Sequence, residues 1–420
     1  MRKRIAIYNN IQRRKKMKHS LRLAALVLAT VIMLSVISGC AAPEVKESAE
    51  PAPTAPETAP EAGSQQPEQT AVPADSREPV NTAHMVTDNL GNEVEVPDEI
   101  NRIAIISTVP LASVFCMVEG SGDKLIGLTP SSKNAAVHSF ISRIAPNVAD
   151  IDSSFAEGDA VNVEAVAALE PDVVFYNANN AGDAEAAAKL TELSIPCVAF
   201  STTVEGGNTI ETFNAWAALM GEIMQKQSRA EEIVAYGREV EAMVKERVAG
   251  IAESDRKSAL IIGNYTQAKI LGAGNTFGRY WLSTIGANNV AMELDKPLAP
   301  ITLEQIYAWD PDVIFLNSFS PFKAEDILNS TAVEGDDWSG LTAVKNKQVY
   351  KMPLGVYYWF PPCSDSPLAL QWLAQKLYPE LFEDIDMDAA IRDYYAKFYG
   401  LELSDEDMAT LYDPPAESAY

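Results

Sequence analysis

Histidine is nearly missing from this chain, with three in 420 residues, and one of those, His19, sits in the basic N-terminal stretch. His84 and His138 remain for the body. That thins any general-base scheme and disfavours a bare zinc or manganese site gathered from several histidines and carboxylates. Gly-x-Ser-x-Gly, His-Glu-x-x-His and a Cys/His nucleophile arrangement are also absent, so the sequence points away from an enzyme and names no catalytic residue. Cysteine is scarce too: beyond Cys40 stand Cys116, Cys197 and Cys363, an odd set without Cys-x-x-Cys spacing. This is neither a disulfide framework nor a zinc site; three small buried thiols are expected, with one disulfide left open.

Positive charge is lacking where a nucleic acid would need it. Nine of the 33 Lys and Arg lie in residues 1–22, no Asp or Glu precedes Glu44, and the net charge is −25. A phosphate backbone would be repelled. Gly272-Ala273-Gly274-Asn275-Thr276-Phe277-Gly278 lacks the Gly-Lys-Ser/Thr of a phosphate loop, which argues against nucleotide binding. A long apolar run occurs at Leu23–Ile37, and it is short for a membrane span. Lying between a basic head and Ser38-Gly39-Cys40, it reads as an export signal. Ile37-Ser38-Gly39-Cys40 resembles the lipobox of bacterial lipoproteins, with isoleucine at the usual leucine position. The resemblance implies a signal peptide over 1–39, lipid on Cys40, and an extracytoplasmic location anchored to the membrane by lipid alone. An uncleaved anchor is the other reading, and Met17 is an alternative start.

From 40 to 82 the chain is Pro, Ala, Glu, Thr, Ser and Gln with almost no large apolar side chains, so it reads as a disordered tether. Order is expected from 83. Val86–Val96 carries a hairpin signal at Gly91, and apolar runs at Arg102–Ser107, Leu125–Leu128, Val173–Tyr176 and Cys197–Phe200 alternate with helical patterns. That is an α/β lobe over 83–227 with a mostly parallel sheet. A helix over 228–253, near 37 Å if about 25 residues are helical, is too long for an ordinary crossover and suits a brace. A second α/β lobe spans 254–400. Residues 401–420 read as an acidic, peripheral tail. The fold class is therefore α/β, two Rossmann-like lobes joined by one long helix.

The most informative feature is an internal repeat. Val161-Asn162-Val163-Glu164…Glu170-Pro171-Asp172-Val173 and Ile301-Thr302-Leu303-Glu304…Asp310-Pro311-Asp312-Val313 keep identical spacing. In each, Asn or Thr caps a short helix, and Pro-Asp stops it before a strand. Taken singly, Glu164 and Glu304 read as first-turn acids suiting the helix dipole. Taken together, they make matched anionic knobs for a symmetric partner bearing arginines.

Here the chain, over about 84–400, resembles the class III periplasmic substrate-binding proteins of iron-siderophore, haem and vitamin B12 ABC importers. The resemblance rests on Asp88-Asn89-Leu90-Gly91…Val96-Pro97…Arg102-Ile103, on both Glu-containing Pro-Asp-Val units, and on the helix between them. It implies that Glu164 and Glu304 seat a monomer on the permease dimer of an importer driven by a cytoplasmic ATPase. It also implies a metal-chelate cargo between the lobes: ferric siderophore first, by family frequency, then corrinoid or haem, with no intrinsic cofactor and no resident metal.

In α/β sheets the ligand crevice lies beyond the carboxyl ends of the strands. On that rule the first lobe offers Thr108, Thr129 and Asn177, and the second offers Tyr265, Asn317 and the run Tyr357-Tyr358-Trp359-Phe360. Four successive aromatics suit a large flat chelate, with interlobe packing as the bland alternative. Tyr265, Tyr357 or Tyr358 could be an axial ligand to haem iron. Arg279 is either a cation for an anionic chelate or half of an ion pair, and His138 is either a lone ligand or a surface residue. Because one long helix resists hinging, only modest motion on loading is expected.

Overall fold

The computed structural model describes residues 82–419 apart from 108, 109 and 159. The signal peptide, Cys40, the tether as far as Asn81, and Thr108 lie outside the described residues. The first lobe opens with a hairpin of β1 (Ala83–Thr87) and β2 (Glu93–Pro97), turned at Gly91 with φ +83°. Strand β3 (Ile103–Ile105) leads into α1 (Leu111–Glu119), β4 (Leu125–Leu128), α2 (Pro130–Val137) and α3 (Ile141–Ile144). A short antiparallel pair, β5 (Ala156–Glu157) and β6 (Ala160–Val161), precedes α4 (Val163–Ala168), β7 (Val173–Asn177), α5 (Ala181–Glu192) and β8 (Cys197–Phe200). The sheet runs β4-β3-β7-β8 with every pairing parallel. Every residue of β3 and β8 is buried, as apolar runs must be where helices cover both faces.

Helix α6 (Thr209–Ile223) is followed by α7 (Gln227–Val248), whose 22 residues span about 33 Å. Val240 and Val244 of α7 join a single apolar core that contains Phe115 and Trp216 of the first lobe and Trp281, Leu370 and Tyr395 of the second. Polar ties fix the helix at intervals. Arg238 donates to both carboxylate oxygens of Glu211 on α6 at 3.0 and 2.9 Å. The Tyr280 hydroxyl donates to Glu241 at 2.7 Å, and Arg247 donates to Asp384 at 2.8 Å. A brace bonded on both sides along its length couples the lobes as one body.

The second lobe runs β9 (Ser258–Thr266), β10 (Lys269–Gly272), α8 (Phe277–Thr284), β11 (Asn288–Asn289), β12 (Ala299–Ile301), α9 (Leu303–Trp309) and β13 (Val313–Leu316). Then follow α10 (Ala324–Leu328), α11 (Thr342–Lys345), β14 (Val349–Lys351), α12 (Ser366–Leu377), α13 (Met387–Tyr399) and α14 (Asp405–Tyr412). Its sheet is β12-β10-β9-β13-β14 with β11 beside β9. The β9, β13 and β14 pairings are parallel, whereas β10 runs antiparallel to β9 and β12.

The segment beyond Leu401, expected as a peripheral acidic tail, is folded against the body. Leu403, Met408 and Leu411 enter the large core, which outweighs the charge on the opposite face of α14. Asp407 pairs with Arg143 of the first lobe at 2.7 Å, and Leu354 donates its backbone N–H to Leu411 at 3.0 Å. Cys116, Cys197 and Cys363 are buried free thiols, and burial pushes Cys116 up to about 12.

Candidate functional site

The repeat folds the same way twice. A short strand, β6 or β12, ends at a capping residue: Asn162 accepts from the N–H of Ala165 at 3.0 Å, and Thr302 accepts from Gln305 at 3.2 Å. Glu164 and Glu304 stand exposed in the first turns of α4 and α9. Hydrogen bonds from its own backbone and from Thr302 lower the carboxyl of Glu304. Each helix ends on a left-handed residue, Glu170 at φ +49° and Asp310 at φ +40°.

The aspartate two positions later then clamps the start of the strand that pairs beside it in the sheet, β3 in the first lobe and β9 in the second. Asp172 accepts the N–H groups of Asn101 and Arg102 at 2.7 and 2.8 Å. Asp312 accepts the N–H and hydroxyl of Ser258, both at 2.8 Å.

The lobes meet along a seam beyond the strand ends. Ala135 of α2 packs in one cluster with Leu354, Tyr357, Tyr358 and Cys363, and Phe319 packs against it. The Phe140 N–H donates to the Gly355 carbonyl at 3.0 Å, and the Phe140 ring meets Tyr395 edge-on at 5.6 Å. Four features at the carboxyl ends of the strands bear on binding. Helix α1, starting after β3, is buried in its first turn and carries neither a side-chain cap nor an acidic residue there, so its own first turn supplies no negative charge to the positive end. Thr129 caps α2 and donates to Ser132 at 3.0 Å. Asn177 closes β7, its side-chain oxygen accepting from Asn179 at 2.9 Å. Asn317, directly after β13, is fully buried, and neither its amide nitrogen nor its amide oxygen has a hydrogen-bond partner among the described residues. An unpaired buried amide costs on the order of 1–3 kcal/mol per group, which a polar ligand would offset.

Of the expected residues, Tyr357 packs at the seam, Thr129 and Asn177 line one small first-lobe cavity with Asn180 and Asp183, and Asn317 lies buried two residues before Phe319, while the others lie elsewhere. Strand β9 continues through Asn264-Tyr265-Thr266 into the β10 hairpin instead of ending in a cleft loop. Tyr265 lies in the second lobe's own core between Phe322 and Trp338, and its hydroxyl donates to Asp336 at 2.6 Å. All four members of the aromatic run are buried, so no flat exposed cradle forms. The Tyr358 hydroxyl donates to the Ser418 carbonyl, and the Trp359 indole N–H donates to Asp365 at 3.0 Å. Arg279 is exposed on α8. His138 is half-buried, with Nδ1 2.9 Å from the Asn134 carbonyl.

Sequence reasoning picked out the loops 108–110 and 317–319, and with them the approach to α1 and Phe319, but missed Asp365. For Asp365 a signal was present: Asp-Ser-Pro after the aromatic run marks a helix start. No helix among the described residues is long and apolar enough to cross a membrane, and no metal-holding group of three His, Cys, Asp or Glu occurs among them.

Comparison with known proteins follows from this geometry. Residues 142–354 match the family model described as periplasmic binding protein. The crystal structure of a periplasmic solute-binding protein from Veillonella parvula is similar at 32% identity and TM-score 0.71, covering 79% of this chain and 97% of that one. The molybdate-binding protein MolA of Haemophilus influenzae is 26% identical over 347 residues, covering 77% of this chain and 93% of MolA. MolA bound to molybdate superposes with TM-score 0.65 over 76% of this chain and 99% of that one. A TroA-like protein, FepB, from Veillonella parvula shares the fold at 21% identity and TM-score 0.62.

Proposed function

The chain belongs to the periplasmic binding protein family, class III, whose members deliver solutes to ABC importers, and from that premise we infer that its cargo is a small tetrahedral oxyanion of the molybdate type, held at the interlobe seam. Asn317 carries this reading: a fully buried amide whose polar atoms have no partner among the described residues, at the carboxyl end of a central strand. The uncapped, acid-free start of α1 adds a positively polarised helix end suited to an anion. On the first-lobe side, the cavity that Thr129 and Asn177 line with Asn180 and Asp183 is only about 50 Å³, small for a chelate. The MolA relative is consistent with the same class of cargo.

A metal chelate, with ferric siderophore ahead of corrinoid and haem, is the second reading, and Tyr357 favours it, since its ring reaches the seam and a phenolate is an iron ligand. Glu164 and Glu304, exposed at matched places, are the residues by which the two lobes would seat on the permease dimer. Lipid on Cys40 would hold this monomer at the membrane surface.

The test is calorimetric titration of the purified full chain with molybdate, tungstate and sulfate, alongside absorbance titration with ferric siderophores, cobalamin and haem. Saturable heat with molybdate, weakened about tenfold or more in Asn317→Ala, is expected. Silence with every oxyanion, together with saturable binding of a chelate, would replace the first reading by the second.

A further inference from the structure

Behind the seam lies a buried acid that the cargo site does not use. Asp365 precedes α12 and is fully buried. Its Oδ2 takes three neutral donors: the Val356 N–H at 3.0 Å, the Trp359 indole N–H at 3.0 Å and the Tyr395 hydroxyl at 2.9 Å. Its Oδ1 has no hydrogen-bond partner among the described residues. The titratable groups that face it are Tyr394, Tyr395 and Tyr399 of α13 and the adjacent Cys363, all of them raised by burial and uncharged near neutrality. No Lys, Arg or His pairs with it among the described residues.

The packing around this carboxylate is tight. A Cβ at Gly355 would stand 2.1 Å from both Asp365 Oδ2 and the Tyr395 hydroxyl oxygen, so the loop can pass here only as glycine. The same Gly355 offers its carbonyl to Phe140 of the first lobe, and Tyr395 packs on the Phe140 ring. One carboxylate thus shapes the loop that carries Tyr357 and backs the stretch where the first-lobe backbone at Phe140 is hydrogen-bonded to that loop.

We propose that Asp365 is a positioning residue with two effects: it sets the 355–360 loop against the first lobe, and its buried, cation-free charge primes that seam to open. Three donors fix the loop geometry, but a carboxylate without a counter-ion in a dry site is held there against its hydration. Any opening that wets the site releases that cost, so the work an importer must do to part the lobes is reduced in advance. Burial pushes the Asp365 carboxyl up to about 6 from 3.8. Because the closed seam binds this proton more tightly than a wetted one, the closed form is favoured at low pH. That preference is lost as pH rises through about 6.

This inference rests on the reading of the seam as the cargo site, yet its test needs no cargo. Amide hydrogen exchange at Val356 and Phe140 is followed in the full chain from about pH 5 to about pH 8, corrected for intrinsic exchange rates. Protection at both amides is expected to fall about tenfold over that range in the wild type. In Asp365→Asn, which keeps the acceptor and removes the charge, protection should be flat and at the upper end should exceed the wild type. A wild-type profile without pH dependence, or an Asp365→Asn profile that copies the wild type, overturns the proposal. If Asp365→Asn does not fold, the wild-type profile alone decides. Loss of molybdate binding with the exchange profile intact would count against the cargo reading only.

Discussion

The two lobes share one short unit and differ in nearly everything attached to it. In both, a strand, a capped helix bearing an exposed glutamate, a left-handed residue and a Pro-Asp step lead into a buried parallel strand. In both, the aspartate of that step clamps the start of the neighbouring parallel strand, β3 or β9. What holds the turn differs. The Arg102 side chain donates to the Glu170 carbonyl at 2.9 Å in the first lobe, while Thr342 donates its N–H and hydroxyl to Asp310, each at 2.8 Å, in the second. Those bonds from Thr342 lower the Asp310 carboxyl. The aromatic loop, Asp365 and the 402–419 segment belong to the second lobe alone. The repeated parts hold each lobe together, and the unrepeated parts build the seam between them.

That division can be broken experimentally. The largest effect is expected at the unrepeated seam: Gly355→Ala drives a methyl into Asp365 and Tyr395 and should cost about 3 kcal/mol or more, read as a lowered midpoint in calorimetric melting. A midpoint like the wild type would mean that the loop relaxes freely and the seam is not tightly specified. Next come the clamps, where Asp312→Ala, removing bonds to a part-buried serine, should cost about 2 kcal/mol, and Asp172→Ala, with more exposed partners, about 1 kcal/mol. Urea unfolding measures both, and a reversed order would show that the two copies are not equivalent braces. Smallest in folding terms are Glu164→Lys and Glu304→Lys, which should leave cargo binding unchanged and lower the melting midpoint only slightly, by reversing a first-turn charge. Each should lower importer-coupled uptake about tenfold, and the pair more. Loss from one site alone would break the symmetry that the repeat suggests.

How far the sequence disclosed this molecule depends on what decided each feature. The buried strands were legible because a run such as Val173–Tyr176 can be placed only inside a sheet covered on both faces. The repeat was legible because caps and Pro-Asp stops act within a few residues. The direction of Tyr358 and Trp359 was not, since it is fixed by Ser418 and Asp365 through tertiary contacts that no local pattern encodes. Tyr265 was misplaced because Gly263-Asn264 reads as a loop, whereas the strand continues and bulges near Gly272. The 402–419 segment was misjudged from its acidity, although Leu403, Met408 and Leu411 supply a sufficient apolar face.

That last segment also has a consequence for biosynthesis. In a chain made N-terminus first, Asp407, Leu411 and Ser418 emerge after every strand of both sheets. Until they arrive, the Leu354 amide and the Tyr358 hydroxyl lack their acceptors, and Arg143 lacks Asp407. These contacts can therefore form only once the 402–419 segment has been made.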